Sequence, residues 1–181
     1  KTINLGLFYG MGKGKLMSQL GVNLEDATEM LANYNERVPF VKQLMNDTMS
    51  KAGKKGFLST IEGRRCRFEE WEPINEWGKK SLPLKEAQQE YGEHMIKRAW
   101  TYKALNRLIQ GSAADQTKKA MLELYKQGYM AHIQVHDELD FSVANDEDKS
   151  RIKEIMEHAI ELQVPSKVDV ECGSNWGDAG D

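Results

Sequence analysis

The chain has 181 residues, 40% of them hydrophobic and 29% charged, with a formal net charge of −3. That length suits one domain with a sizeable core or a piece of a larger protein. No apolar run approaches the roughly 18 residues that cross a membrane, and no secretory signal opens the chain. Cys66 and Cys172, the only cysteines, have neither zinc-ligand nor disulfide-framework spacing, which fits a reducing cytoplasm. An acidic chain lacks the global field of a nucleic-acid binder, so any such contact must come from local basic patches.

Residues 1–9 are apolar-rich and free of Pro, which predicts a helix stopped at Gly10-Met11-Gly12. The chain therefore starts at Lys1 inside an element, and the expectation is a fragment whose N-terminal part is missing. Residues 13–20 add one or two helical turns closed by Gly21. Asn23 suits an N-cap, with Glu25 and Asp26 in the first turn, where the helix dipole favours acids. That helix is expected to reach Arg37, kink near Pro39, continue over residues 40–51 and end at Gly53 and Gly56. Residues 57–61 and 65–68 predict two short strands about Glu62-Gly63. Residues 69–83, with Trp71 and Trp77 interleaved with Pro73 and Pro83, read as an irregular but ordered surface insertion. Residues 84–102 and 104–126 predict two helices, the second ending at Gly128. Asn145 or Asp146 caps a last helix to about Leu162, and residues 168–171 predict a closing strand.

Between the last two helices, Ala131, Ile133 and Val135 alternate with His132 and Gln134, then Leu139, Phe141 and Val143 alternate with Asp140 and Ser142. Both arms have the period of half-buried strands, so a sharp reversal falls at or beside His136-Asp137. The acids Asp137 and Glu138 then stand at the tip of a rigid hairpin. Adjacent carboxylates repel, and a hard cation beside substrate phosphates relieves that repulsion, which suggests Mg²⁺ chemistry.

Three further stretches bear on chemistry. Lys1, Leu5 and Tyr9 repeat every fourth residue and form one stripe about 12 Å long, with a cation for phosphate at one end and a ring for a base at the other. Asn106 and Gln110 are helical neighbours outside the apolar side that carries Leu105, Leu108, Ile109, Ala113, Ala120 and Leu124. Amides both donate and accept, so this pair can engage the minor-groove acceptors that nearly every base pair presents. Gly63, Arg64, Arg65 and Arg67, with Lys51, Lys54 and Lys55 just before them, form a basic patch suited to phosphates. Gly10-Met11-Gly12-Lys13-Gly14-Lys15 is not a Walker loop, because position 7 is Leu and position 14 is Gly. It is not a dinucleotide fingerprint either, because position 15 is Lys.

Together these pieces resemble family A DNA polymerases, the group typified by bacterial DNA polymerase I and many phage replicases. Lys1-x7-Tyr9-Gly10 is similar to the C-terminal half of that family's fingers-helix motif, in which an Arg precedes the Lys. Gln134-Val135-His136-Asp137-Glu138-Leu139 resembles its palm motif with a catalytic Asp. Ile61-Glu62-Gly63-Arg64-Arg65 and Asn106-x3-Gln110-Gly111-Ser112-Ala113-Ala114-Asp115 resemble two intervening blocks, in the family's order. Gly173-Ser174-Asn175-Trp176 looks like the family's ending. The resemblance covers nearly the whole chain except residues 69–89.

The resemblance implies an α+β piece of the right-hand polymerase fold: a helical fingers segment over residues 1–56, and a palm segment over 57–181 whose antiparallel hairpin carries the catalytic carboxylates. It implies attack of a primer 3′-hydroxyl on the α-phosphate of a dNTP, assisted by two Mg²⁺ ions. Asp137 would be the metal ligand and Glu138 would tune the site. Lys1 would neutralise phosphate and protonate pyrophosphate, and Leu5, Tyr9 and Gly10 would shape the nucleotide pocket. His136, Asn106 and Gln110 would hold the primer terminus and the minor groove, and Arg64 and Arg65 would meet the DNA backbone. The partners implied are primer-template DNA, dNTPs and the missing N-terminal part of the polymerase, in the cytoplasm of a bacterium or phage-infected cell and without a membrane. Two departures stand out. The family's first palm Asp would lie upstream of Lys1, so the isolated chain is expected to be inactive. Position 5, Phe or Tyr in the family, is Leu, which offers no hydroxyl in place of a missing 3′-OH, so dideoxynucleotides should be rejected. A metal-dependent nuclease using Asp137 and Glu138, and a non-catalytic DNA-binding module, are the alternatives.

Overall fold

A computed structural model of the chain describes residues 6–7, 9, 11–76 and 78–179. The chain divides into two compact units, Lys1–Ile109 and Gln110–Asp181. Among the described residues no helix is long and apolar enough to cross a membrane.

From residue 13 the first unit runs through helices α1 (Lys13–Leu20), α2 (Leu24–Arg37) and α3 (Pro39–Lys55). Gly21 closes α1, and the Asn23 side chain accepts the Asp26 N–H at 2.9 Å at the start of α2, as its cap position predicts. The expected kink near Pro39 is a full break: α2 stops at Arg37 and Pro39 begins α3, where its missing N–H costs nothing. Helix α3 runs through Gly53 and ends at Gly56, whose φ of 75° is the left-handed geometry that glycine adopts without strain. A side chain there would also collide with Arg98, since a Cβ would lie 2.6 Å from its Cζ.

Strands β1 (Phe57–Ser59) and β2 (Arg65–Arg67) form the expected antiparallel pair, with Leu58 opposite Cys66. Leu58, Phe68, Ala52 of α3 and Ala104 make a buried cluster, with Met49, Cys66 and Leu108 packed against it. Burying Phe68 is worth about 1.5–3 kcal/mol in area alone.

The region read as irregular is ordered sheet. Strand β3 (Glu70–Pro73) pairs antiparallel with β4 (Leu82–Pro83) on one side and β5 (Ile96–Arg98) on the other. Its short strands alternate with prolines at their ends, so no period-2 run was long enough to read. The single helix expected over residues 84–102 is also corrected. Helix α4 covers only Leu84–Tyr91; Gly92, at φ 89°, breaks it, and β5 follows. Trp100 then turns the chain with φ 62°, a costly conformation for a bulky residue. Its indole N–H donates to Glu70 Oε2 at 3.0 Å and to Ser81 Oγ at 3.1 Å, while Ser81 donates to the same carboxylate. A 3-10 turn (Thr101–Lys103) leads into α5 (Ala104–Lys126).

In the second unit, β6 (Ile133–Val135) and β7 (Glu138–Asp140) form the hairpin, followed by α6 (Asp146–Glu157). Leu124 of α5, with Ile152 and Ile155 of α6, forms its buried core, and Tyr129, Leu139, Phe141 and Met156 pack against it. Asn145 caps α6 by accepting the Asp148 N–H at 2.8 Å, and its amide donates to Asp148 Oδ2 at 3.0 Å. The helix stops at Glu157 rather than near Leu162, and no strand forms over residues 168–171. There Val168 N–H instead donates to Glu157 Oε1 at 2.9 Å. Ala113, expected on the buried side of α5, is exposed.

Candidate active site

Antiparallel pairing of Val135 with Glu138 leaves His136 and Asp137 as the two residues of the turn, where the sequence pattern requires the reversal. His136 has φ 55°. Histidine is one of the non-glycine residues enriched in that region, although the conformation still carries strain. The turn is braced from the first strand: Gln134 Nε2 donates to the His136 carbonyl at 2.9 Å. At the open end of the hairpin, His132 N–H donates to the Asp140 carbonyl at 2.8 Å.

The register decides which way the acids point. Gln134 lies opposite Leu139, and Leu139 with Phe141 rests on the unit's core. Glu138 therefore points to the other face, alongside Val135, Ile133 and Asp140. The apolar residues of the two arms thus occupy opposite faces, and Ile133, expected to be half-buried, is 45% exposed. His136, Asp137 and Glu138 are all exposed at the tip. The second strand anchors the hairpin, and the turn presents the carboxylates.

The other expected site residues fall as follows. Lys1, Leu5 and Gly10 lie outside the described residues; Tyr9 is in a turn and half-buried. Arg64 and Arg65 are exposed beside the β1–β2 turn, and the Arg65 guanidinium lies 4.8 Å from the centre of the Phe57 ring. Asn106 and Gln110 are both exposed on α5, Asn106 in the first unit and Gln110 in the second.

The sequence profile described as DNA polymerase family A matches residues 1–178. The chain belongs to DNA polymerase family A. It is 34% identical to a DNA-directed DNA polymerase of Pseudomonas phage M6, covering 98% of this chain and 28% of the phage protein. It is 32% identical to the thermostable DNA polymerase I of Thermus filiformis and 34% identical to DNA polymerase I of Bacillus subtilis (strain 168), covering 99% of this chain and 20% and 19% of those proteins. The chain thus spans about a fifth to just over a quarter of the length of these relatives. The fold is similar to the POL domain of Pol1 from M. smegmatis, solved in complex with DNA primer-template and dNTP. The TM-score is 0.76 at 30% identity, over 99% of this chain and 30% of that one.

Within this family A chain the structure brings His136, Asp137 and Glu138 together at one hairpin tip. Among the described residues no cluster of three or more His, Cys, Asp or Glu side chains forms a metal cage. Mg²⁺ keeps several waters and is usually bound through one or two carboxylates plus substrate phosphates. The exposed Asp137–Glu138 pair is therefore a partial donor set of suitable chemistry. Sequence reading missed the bracing role of Gln134. Its signal was a side-chain amide two residues before the turn, on the strand face shared with Leu139.

Proposed function

We propose that the chain is the C-terminal fingers and palm portion of a DNA-directed DNA polymerase, with residues 1–56 as the fingers segment and 57–181 as the palm segment. The primer 3′-oxygen attacks the α-phosphorus of a dNTP, a new P–O bond forms and pyrophosphate leaves. Two Mg²⁺ ions, when bound, stabilise the attacking and leaving oxygens. Asp137 is the ligand this chain supplies, and Glu138 orients and tunes it. A further carboxylate comes from the part of the polymerase outside this chain, which acts as its partner.

The remaining roles rest on the resemblance to family A motifs, with side-chain chemistry that suits them. His136, next to Asp137 in the turn, holds the primer terminus. Asn106 and Gln110 contact minor-groove acceptors and so favour duplex geometry over sequence. Arg64 and Arg65 meet the backbone. Lys1 neutralises phosphate charge and donates a proton to pyrophosphate, while Leu5, Tyr9 and Gly10 line the pocket for the new base pair. Bacterial and phage relatives support a site of action in the cytoplasm of a bacterium or infected cell.

The observation that carries this reading is the exposed Asp137, held in a braced two-residue turn, within a chain that belongs to family A throughout. Primer extension by the full-length protein tests it. Template-directed incorporation that needs Mg²⁺ and stops on chelation supports the reading. Mg²⁺-dependent cleavage of DNA without extension would replace it with the nuclease reading. Duplex binding with no chemistry, unaffected by Asp137→Asn, would replace it with the binding-module reading.

A further inference from the structure

Four cations in the first unit rest on aromatic faces: Arg65 on Phe57, Arg98 on Trp71, Lys103 on Trp100 and Arg107 on Phe68. Arg98 is committed to the fold, since it donates to the Phe68 carbonyl at 2.7 Å and presses against Gly56. Arg107 is held differently. Its guanidinium lies 5.0 Å from the centre of the Phe68 ring, and one nitrogen donates to the Arg67 carbonyl at 3.4 Å, yet the side chain stays exposed. Its charge is felt by Glu70, but that carboxylate already accepts hydrogen bonds from Ser81 and Trp100.

From these positions we infer that Arg107 binds a backbone phosphate at the edge of the minor groove that Asn106 enters, an inference that rests on the polymerase reading above. Successive helix residues point about 100° apart. When Asn106 faces the groove floor, Arg107 therefore faces one of its walls. The groove is only about 6 Å wide and phosphates line both edges, which is within reach of an arginine one position round the helix. The Phe68 ring and the Arg67 carbonyl hold one face and one edge of the guanidinium before DNA arrives. That lowers the ordering cost on binding, and a planar fork with several N–H donors retains capacity for phosphate oxygens. Arg65, on its own ring, and Arg67 add positive charge on β2, although Arg67 shares its charge with Glu69 at 3.6 Å. The contact adds affinity without adding sequence preference.

The test is a salt titration of primer-template binding by the full-length protein, comparing the parent with Arg107→Met, which keeps a long unbranched side chain without the charge, and Arg107→Lys, which keeps the charge. Loss of one phosphate contact makes the slope of log K against log salt shallower by about one and weakens low-salt binding roughly three- to tenfold. The effect should be similar on duplexes of unrelated sequence, and Arg107→Lys should restore most of the slope. An Arg107→Met slope equal to the parent's, with a lowered Tm, overturns the inference and leaves Arg107 as a clamp on Phe68. A parent protein that does not bind primer-template at all overturns the polymerase reading instead, and this inference with it.

Discussion

His136 shows how one residue can be set by backbone and by chemistry together. Its φ of 55° is needed for the chain to reverse in two residues, and the imidazole is carried beside Asp137 as a result. A β-branched residue tolerates that conformation least, so His136→Val should lower the stability of the full-length protein by about 1–2 kcal/mol. His136→Gly should cost less, because glycine adopts the angle freely. Denaturant unfolding of both variants checks this, and equal losses would show that φ is not the constraint. Trp100 is the counterpart in the first unit. The Glu70 carboxyl is held below its ordinary value of 4.5, chiefly by the hydrogen bond from Ser81 and then by that from the Trp100 indole. Because the folded value is depressed, Glu70 adds stability above pH 4.5 that is lost as pH falls through the depressed value. Trp100→Phe removes one donor and should raise the Glu70 pKa toward 4.5, measured by NMR titration of the carboxyl. An unmoved pKa would mean that the indole bond does not form in solution.

At the scale of elements, the residues that ended or capped a segment were the readable ones. Gly21, Asn23, Gly56 and Asn145 stand where the chain stops or starts helices, because their preferences are local. The same physics explains the miss at Gly92, whose breaking effect was outweighed by long helix-like patterns on both sides of it. The β3–β4–β5 sheet was illegible because its pairing joins residues distant in the chain, from Trp71 with Leu82 to Trp71 with Arg98, and strands of two to four residues show no period. The hairpin's reversal was legible, whereas the facing of its arms was not. Alternation fixes each strand's own two faces, but only the Gln134–Leu139 register decides how they combine. Helix α6 offers a direct check on capping. Asn145→Ala should destabilise the second unit by about 1 kcal/mol. The neighbouring Asp146 carboxyl, lowered from 3.8 first by the hydrogen bond from Lys149 and then by its charge, adds stability above that pH which disappears as pH falls through the lowered value. Both groups are solvent-facing, so screening keeps this second effect small. Thermal unfolding across the acid range separates the two, since the loss in Asn145→Ala persists at pH values where Lys149→Met and the parent converge.

At the scale of the whole molecule, four motifs in the right order were enough to identify the family, although each was weak alone. Asn106 and Gln110 were legible as residue types, and their exposure on α5 agrees with a role at a surface. Arg107 was not legible, because nothing in the sequence marks one arginine among many. Its distinction comes from Phe68 and the Arg67 carbonyl, brought to it by the β1–β2 pairing and the start of α5. Asp137 is proposed as the carboxylate this chain lends to nucleotidyl transfer. Asp137→Asn keeps the side chain's shape and leaves the Gln134 brace and the Leu139 anchor in place, while removing the charge that would bind a divalent cation. Single-turnover incorporation of the next correct dNTP by the full-length protein, at saturating primer-template and Mg²⁺, tests the claim most directly. The rate should fall by at least about 10³-fold, or roughly 4 kcal/mol in the barrier, with Tm and duplex affinity unchanged. A rate within about threefold of the parent's, well under 1 kcal/mol, would contradict it.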